Sequence, residues 1–237
     1  QGVIHHDLKP SNVMFRPTGE AVLIDFGLAR HDRLPDLLAE EFRLPMGTGP
    51  YISPEQVLRV RNDPRSDLFA LGALLYVLAT GQRPFGMPNT VAGLKKRLWR
   101  DPVPPIALNA GLPPWLQELI LRCLEVDPNR RHPSAAALAF ELQHPDQVVL
   151  TQRAAKRRRD GRGKVFKRWF RAIGVEPPAT QSATAQVHSA PIVAAAVDLS
   201  AGCEALAEQL AVTARRIVDT EPGARLACLT VLKTSRI

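Results

Sequence analysis

An acid, an amine, an amide and a second acid fall within the first twenty-five residues: Asp7, Lys9, Asn12 and Asp25. Between the last two the chain reads as a tight β-hairpin. Val13-Met14-Phe15 leads into a turn at Arg16-Pro17-Thr18-Gly19-Glu20, and Ala21-Val22-Leu23-Ile24 returns. Folding about Thr18/Gly19 predicts residue 15 opposite residue 22 and Asn12 beside Asp25. Amide and carboxylate oxygens at one hairpin mouth suit a hard divalent cation. With Asp7 just upstream, the layout can hold cations on a polyphosphate and aim a hydroxyl at it.

The run Val3-Ile4-His5-His6-Asp7-Leu8-Lys9-Pro10-Ser11-Asn12, followed by Asp25-Phe26-Gly27, resembles the catalytic loop and metal-binding motif of protein kinases. Thr48, Pro54-Glu55, Asp67, Gly72 and Arg131 continue the family order at family spacing. The resemblance implies that Asp7 is the base orienting a substrate hydroxyl toward the γ-phosphate of ATP. Lys9 would stand beside the transferring phosphoryl group, and Asn12 and Asp25 would hold Mg²⁺. Thr48 would hydrogen-bond toward Asp7 and Lys9. Asp67 would accept hydrogen bonds from the catalytic-loop backbone, and Glu55 would pair with Arg131, favoured by spacing over Arg130. Lys9-Pro10-Ser11 is similar to the bacterial-type serine/threonine-directed members, so the implied partner is a protein substrate. Small-molecule phosphotransferases of the aminoglycoside type share the Asp…Asn…Asp arrangement; Lys9, the 48–55 segment and the 67–72 helix favour the protein kinase. A kinase-like scaffold or nucleotide-sensing module without catalysis is the alternative, and the intact acidic and amide set weighs against it.

The sequence departs from the family pattern in three places. His6 stands where many kinases carry an arginine that receives a phosphorylated loop residue. Between Arg30 and Gly47 there is no Ser, Thr or Tyr, so switching by activation-loop phosphorylation is not expected. No glycine-rich loop or phosphate-pairing lysine precedes His5. The expectation is therefore a lower lobe only, with its nucleotide-clamping lobe missing: a fragment inactive by itself.

The elements that must position these residues can be read from apolar periodicity. The fold expected is a mainly α kinase-like lobe with a small catalytic hairpin over residues 1–145, then a partial α/β domain. Residues 31–46 read as a surface loop. A short helix over Glu55–Leu58 is predicted, then one from Asp67 to Thr80 buried on most faces and ended by Gly81. Further helices are expected over Val91–Trp99, over Trp115–Glu125, and from a Ser134 cap to Leu142. From 190 to 237, Ile192–Val197, Glu204–Val218 and Ala224–Leu232 read as strand, helix and strand, with Leu206, Leu210 and Ile217 inward. That is a βαβ unit on a parallel sheet. It resembles the start of a universal stress protein domain, and the resemblance implies that Asp198 could contact ATP at the end of the first strand.

Hydrophobic content of 45% fits a globular chain. The uncharged apolar run Pro191 to Val197 is too short to span a bilayer. Cys123, Cys203 and Cys228 are scattered and read as thiols in a reducing compartment, so the cytoplasm is expected. Net charge is +8, yet ten Lys/Arg and a single acid lie between Arg153 and Arg171, leaving the remainder close to −1. The basicity belongs to this 146–189 linker, whose Val165, Phe166, Trp169, Phe170 and Ile173 mark an amphipathic helix, with 176–189 flexible. Packing of that aromatic stripe on a neighbouring domain is the first reading. Peripheral attachment of the 153–174 helix to an anionic membrane surface is the second, and nucleic acid comes last.

Overall fold

Proline and glycine set most of the element boundaries. In the computed structural model, residues 2–31, 36, 44–173, 192–197, 204–220 and 225–230 are described. They form two compact units, one holding every element up to residue 173 and the other the last two strands with their helix.

In the first unit, β1 (Val3–Ile4) pairs antiparallel with β4 (Arg30–His31), and β2 (Val13–Phe15) with β3 (Ala21–Leu23). The expected hairpin register is one residue off. Phe15 faces Ala21, not Val22, and Asn12 meets Ile24, whose N–H donates to the Asn12 carbonyl at 3.0 Å. The cause is the turn. Arg16 N–H bonds the Glu20 carbonyl, and Gly19, at φ +85°, closes a three-residue loop where an even one was assumed. Met14, Phe15, Leu23, Ile24 and Phe26 stand exposed around this hairpin.

The helices form the core. α1 (Pro54–Val57) starts at Ser53 with a reciprocal capping box: Ser53 Oγ accepts Gln56 N–H and the Gln56 side chain accepts Ser53 N–H. α2 (Arg65–Thr80) ends at Gly81 in the left-handed region. Its Phe69, Ala70, Ala73 and Tyr76 pack with Tyr51, Ile120 and Leu124. Its other side brings Leu68 against Leu119, Cys123, Leu138 and Val148. α2 is not buried all round, since Leu78 in its last turn is 82% exposed. α3 (Val91–Lys95), expected as one helix to Trp99, tightens into a 3₁₀ turn over Lys96–Leu98. Leu94 and Leu98 then join Ile52 and Val57 in a third cluster. α4 (Pro114–Cys123) and α5 (Ala135–Gln143) follow, the latter capped by Ser134 as its sequence predicts. α2 and α4 touch at Gly72, where an added Cβ would stand 2.4 Å from Cys123 Cβ.

Residues beyond 145 continue to pack on this unit. α6 (Arg162–Ile173) contributes Ala172 to the cluster around Ile52 and Leu98. The aromatic stripe does not make that contact: Phe166, Phe170 and Ile173 are 62%, 70% and 61% exposed. In the second unit β5 (Ile192–Val197) and β6 (Arg225–Thr230) pair in parallel, joined through α7 (Glu204–Thr220). Leu206 and Ile217, expected inward, are exposed, whereas Ala214 of the same helix is buried. Two paired strands offer too narrow a face to cover a whole helical stripe. No helix among the described residues is long and apolar enough to cross a membrane.

The α2–α4 contact gives a direct expectation. Gly72→Ala forces the two helices apart and lowers unfolding free energy by about 1–3 kcal/mol in urea denaturation. An unchanged midpoint would contradict this packing.

Candidate active site

The loop carrying Asp7 is held from beneath. Asp67, in the first turn of α2, accepts the N–H of His5 at 2.7 Å and of His6 at 2.9 Å. Burial raises the Asp67 carboxyl above its ordinary range, and the two N–H bonds oppose that only in part. His5 Nδ1 accepts Asp7 N–H, so its other ring nitrogen donates to the Ile24 carbonyl at 3.1 Å, and the ring stacks at a tilt on Phe26. One imidazole thus ties the loop to the hairpin. His6 sits at φ +64°, costly for a side-chain residue. Its carbonyl takes Gln56 Nε2 at 2.7 Å and its ring Nε2 meets the Arg61 carbonyl at 3.0 Å. Gly47, at φ +119°, approaches the same carbonyl so closely that a Cβ would stand 3.0 Å from it.

On that support the residues singled out by spacing come together. Asp7 is buried. Its Oδ1 accepts the Thr48 N–H at 2.9 Å and the Thr48 hydroxyl at 2.7 Å, and its Oδ2 accepts Lys9 Nζ at 2.6 Å. Asn12 Nδ2 donates to the Asp7 carbonyl at 2.9 Å and more weakly to Oδ2 at 3.4 Å. Burial pushes the Asp7 carboxyl up, but the hydrogen bonds from Lys9 and Thr48 and the Lys9 charge outweigh it and hold it below the usual carboxylate range. Asp7 is therefore an ionised acceptor at neutral pH. Thr48 reaches Asp7 but makes no bond to Lys9, which occupies the opposite carboxylate oxygen.

Asp25 stands apart from this group. It is exposed, in the left-handed region at φ +62°, and among the described residues its Oδ1 accepts Gly27 N–H alone, at 3.4 Å. The one-residue register shift sets Ile24, not Asp25, opposite Asn12. With its Nδ2 donating to Asp7, Asn12 has its amide oxygen left as an acceptor. An amide oxygen and a free carboxylate fit Mg²⁺, which keeps several waters and takes its remaining oxygens from phosphates. Among the described residues no three His, Cys, Asp or Glu side chains gather as a metal cage. Asp198 lies outside the described residues, as do 32–35 and 37–43 of the expected surface loop.

The outer support is a buried ion pair. Arg131 Nη1 and Nη2 meet Glu55 Oε1 and Oε2 at 2.6 and 2.7 Å, and its Nη1 also donates to the Arg65 carbonyl at the start of α2. Arg130, the alternative by sequence, reaches only Glu125 at 3.5 Å. Two supporting residues escape a reading of the sequence. Gln56 bridges the His6 and Met46 carbonyls, and Ser53-x-x-Gln56 is a capping-box pattern that could have drawn attention to it. Arg97 is fully buried, bonding the Ile52 and Gly49 carbonyls on either side of Tyr51. Burial depresses its guanidinium to about 10. In the basic run Lys95-Lys96-Arg97 nothing marks it as an interior residue.

A family model described as a protein kinase domain matches residues 1–143. The chain is similar to serine/threonine-protein kinase PksC of Streptomyces coelicolor, 39% identical over 140 residues, covering 59% of this chain and 25% of that protein. It is 35% identical over 141 residues to serine/threonine-protein kinase PknB of Mycobacterium tuberculosis, covering 60% and 22%. Serine/threonine-protein kinase pkn3 of Myxococcus xanthus is 39% identical over 167 residues, covering 66% and 30%. The chain thus spans about a quarter of the length of these relatives.

Two expectations follow from the site. Because the folded Asp7 carboxyl is lowered, the stability it contributes is present above its ordinary value of 3.8 and is lost as pH falls through the lowered one. Lys9→Ala leaves burial less opposed, so the Asp7 midpoint in a carboxyl ¹³C NMR titration moves up; an unmoved midpoint would refute the pairing. Glu55→Ala strands the Arg131 charge in the interior and costs about 3–5 kcal/mol of unfolding free energy by denaturant titration.

Proposed function

The chain belongs to the protein kinase family, and from that premise we propose that residues 1–145 form the lower, substrate-facing half of a serine/threonine kinase site. In this reading Asp7 accepts the proton of a protein serine or threonine hydroxyl as it attacks the γ-phosphate of ATP. Lys9 offsets the charge that develops on the transferring group. Thr48 fixes the Asp7 carboxylate, and Asn12 and Asp25 hold Mg²⁺, which when bound neutralises the phosphates. The observation that carries the reading is the Asp7 carboxylate itself, buried, ionised, and clamped at one oxygen by Thr48 and at the other by Lys9.

Finer parts of the proposal rest on narrower support. With no hydroxyl residue between Arg30 and Gly47, activity does not require a phosphorylated activation loop. The protein acts in the cytoplasm. Residues 146–189 serve as a basic linker, and the exposed face of α6 attaches it peripherally to anionic membranes. Residues 190–237 begin a universal stress protein-like domain that brings the enzyme into stress signalling; the parallel β5–α7–β6 arrangement supports this, and Asp198 is its proposed ATP contact.

The test joins residues 1–237 to the nucleotide-clamping lobe of a relative and follows labelled γ-phosphate into serine/threonine substrates. Asp7→Asn is expected to lower kcat by roughly 10²–10⁴-fold with KM little changed. Wild-type turnover by Asp7→Asn would remove Asp7 from the chemistry. Co-sedimentation with anionic but not neutral liposomes, lost in Phe166→Ser/Phe170→Ser, checks the membrane attachment.

A further inference from the structure

The positive charge concentrated between Arg153 and Arg171 is folded around a cavity. Glu118 of α4 accepts Thr151 N–H at 3.0 Å, the Thr151 hydroxyl at 2.8 Å, Ala154 N–H at 2.9 Å and the Arg153 guanidinium at 2.9 Å. Its neighbour Gln117 donates to the carbonyls of Arg153, Ala154 and Lys156. Both α4 side chains are buried. The segment leading into α6 is thereby pinned to the helical core. Asp101 then gathers Lys156 at 2.9 Å and Arg168 at 2.5 Å, and Asp160 closes the cluster at 3.2 and 3.0 Å from the same two cations. Burial would raise the Asp101 carboxyl, but the bonds from Arg168 and Lys156 bring it down to about 2.

This framework bounds a cavity of about 760 Å³ with Pro102, Pro104, Leu121 and Leu124 in its wall. The three carboxylates that line it, Asp101, Glu125 and Asp160, are each already paired with a cation. Arg100, Arg158, Lys164, Lys167 and Arg171 line it as well, and no acid pairs with any of them among the described residues. Arg168 keeps its Nε buried without a hydrogen-bond acceptor at the same wall. Five like charges around one concavity repel one another and raise the local concentration of anions. A single anionic group would leave most of them uncompensated. The volume lies in the range of small-ligand sites. Planar guanidinium forks match phosphate oxygens as they do carboxylate oxygens, and a terminal phosphate brings up to two charges where a carboxylate brings one.

We propose that this cavity is a binding site for a small ligand carrying two or more phosphate groups, with Arg100, Arg158, Lys164, Lys167 and Arg171 as its counter-charges. The site is separate from the Asp7 loop and does not depend on the kinase reading. A free polyphosphate and a multiply phosphorylated lipid headgroup present the same chemistry, and the experiment distinguishes them.

Residues 1–237 are titrated calorimetrically with sodium tripolyphosphate in EDTA, so that no metal bridges the ligand to Asn12 and Asp25. In parallel they are sedimented with vesicles containing phosphatidylinositol bisphosphate. Lys167→Gln/Arg171→Gln is expected to weaken binding by roughly tenfold or more. Lys95→Gln/Lys96→Gln, which removes the same charge outside the cavity, changes it by less than about twofold. Binding of tripolyphosphate identifies a free polyphosphate, whereas binding of these vesicles alone, beyond that of phosphatidylserine vesicles of equal charge and lost in Lys167→Gln/Arg171→Gln, identifies a headgroup; either supports the site. Equal loss in both double variants, binding of citrate as tight as of tripolyphosphate, or no binding in either arm overturns it. So does a single-stranded oligonucleotide that binds more tightly than tripolyphosphate and is weakened alike by both variants, which would mark a diffuse nucleic-acid surface. Should Lys167→Gln/Arg171→Gln fail to fold, the thermal midpoint of the unaltered chain decides: tripolyphosphate must raise it above orthophosphate and citrate at equal ionic strength.

Discussion

Two backbone N–H groups, those of His5 and His6, end on the carboxylate of Asp67, and the geometry of the loop that carries Asp7 depends on that pair of bonds. Neither N–H lies within a helix. His6 is held at a positive φ that its own side chain disfavours. A buried acceptor in the first turn of α2 satisfies both donors and fixes the backbone from which Asp7 projects. The acceptor is only as rigid as its helix. Arg131 secures the start of that helix through the Arg65 carbonyl while bonding Glu55 from α1, and Gly72 sets the helix against α4 at the closest approach a backbone permits. A disturbance at Gly72 or Glu55 therefore reaches the backbone that carries Asp7.

The loop itself was legible because its motif resembles that of a known family, and Asp67, Glu55 and Arg131 followed from the order and spacing that the resemblance implies. What spacing misplaced was the hairpin register. Periodicity gives strand faces, but whether a turn holds an even or odd number of residues depends on one glycine's backbone angle. The sites of Arg97 and Gln56 were hidden for a different reason. Both act on carbonyl groups, which every residue has, so no partner residue types advertise them. The exposed stripe of α6 and the exposed Leu206 and Ile217 of α7 show the same limit from the other side: an apolar face predicts that something can cover it, not which neighbour does.

Charge tells a comparable story at larger scale. A net excess confined to nineteen residues could have been a solvated tail. Instead the acids that oppose it, Glu118, Asp101 and Asp160, are few, partly or wholly buried, and fully committed. They organise the cations more than they neutralise them. Pairing of this kind contributes less to stability than to shape, since each buried charge also loses its hydration.

The apolar fringe of the hairpin has a practical consequence. Met14, Phe15 and Leu23 stand exposed on two short strands whose outer edges are unpaired within that sheet, and Ile24 and Phe26 stand exposed just beyond them. Such a surface is sticky. Copies of the polypeptide that adhered through it would cloud a concentrated sample with their cores intact, so turbidity alone is no measure of unfolding.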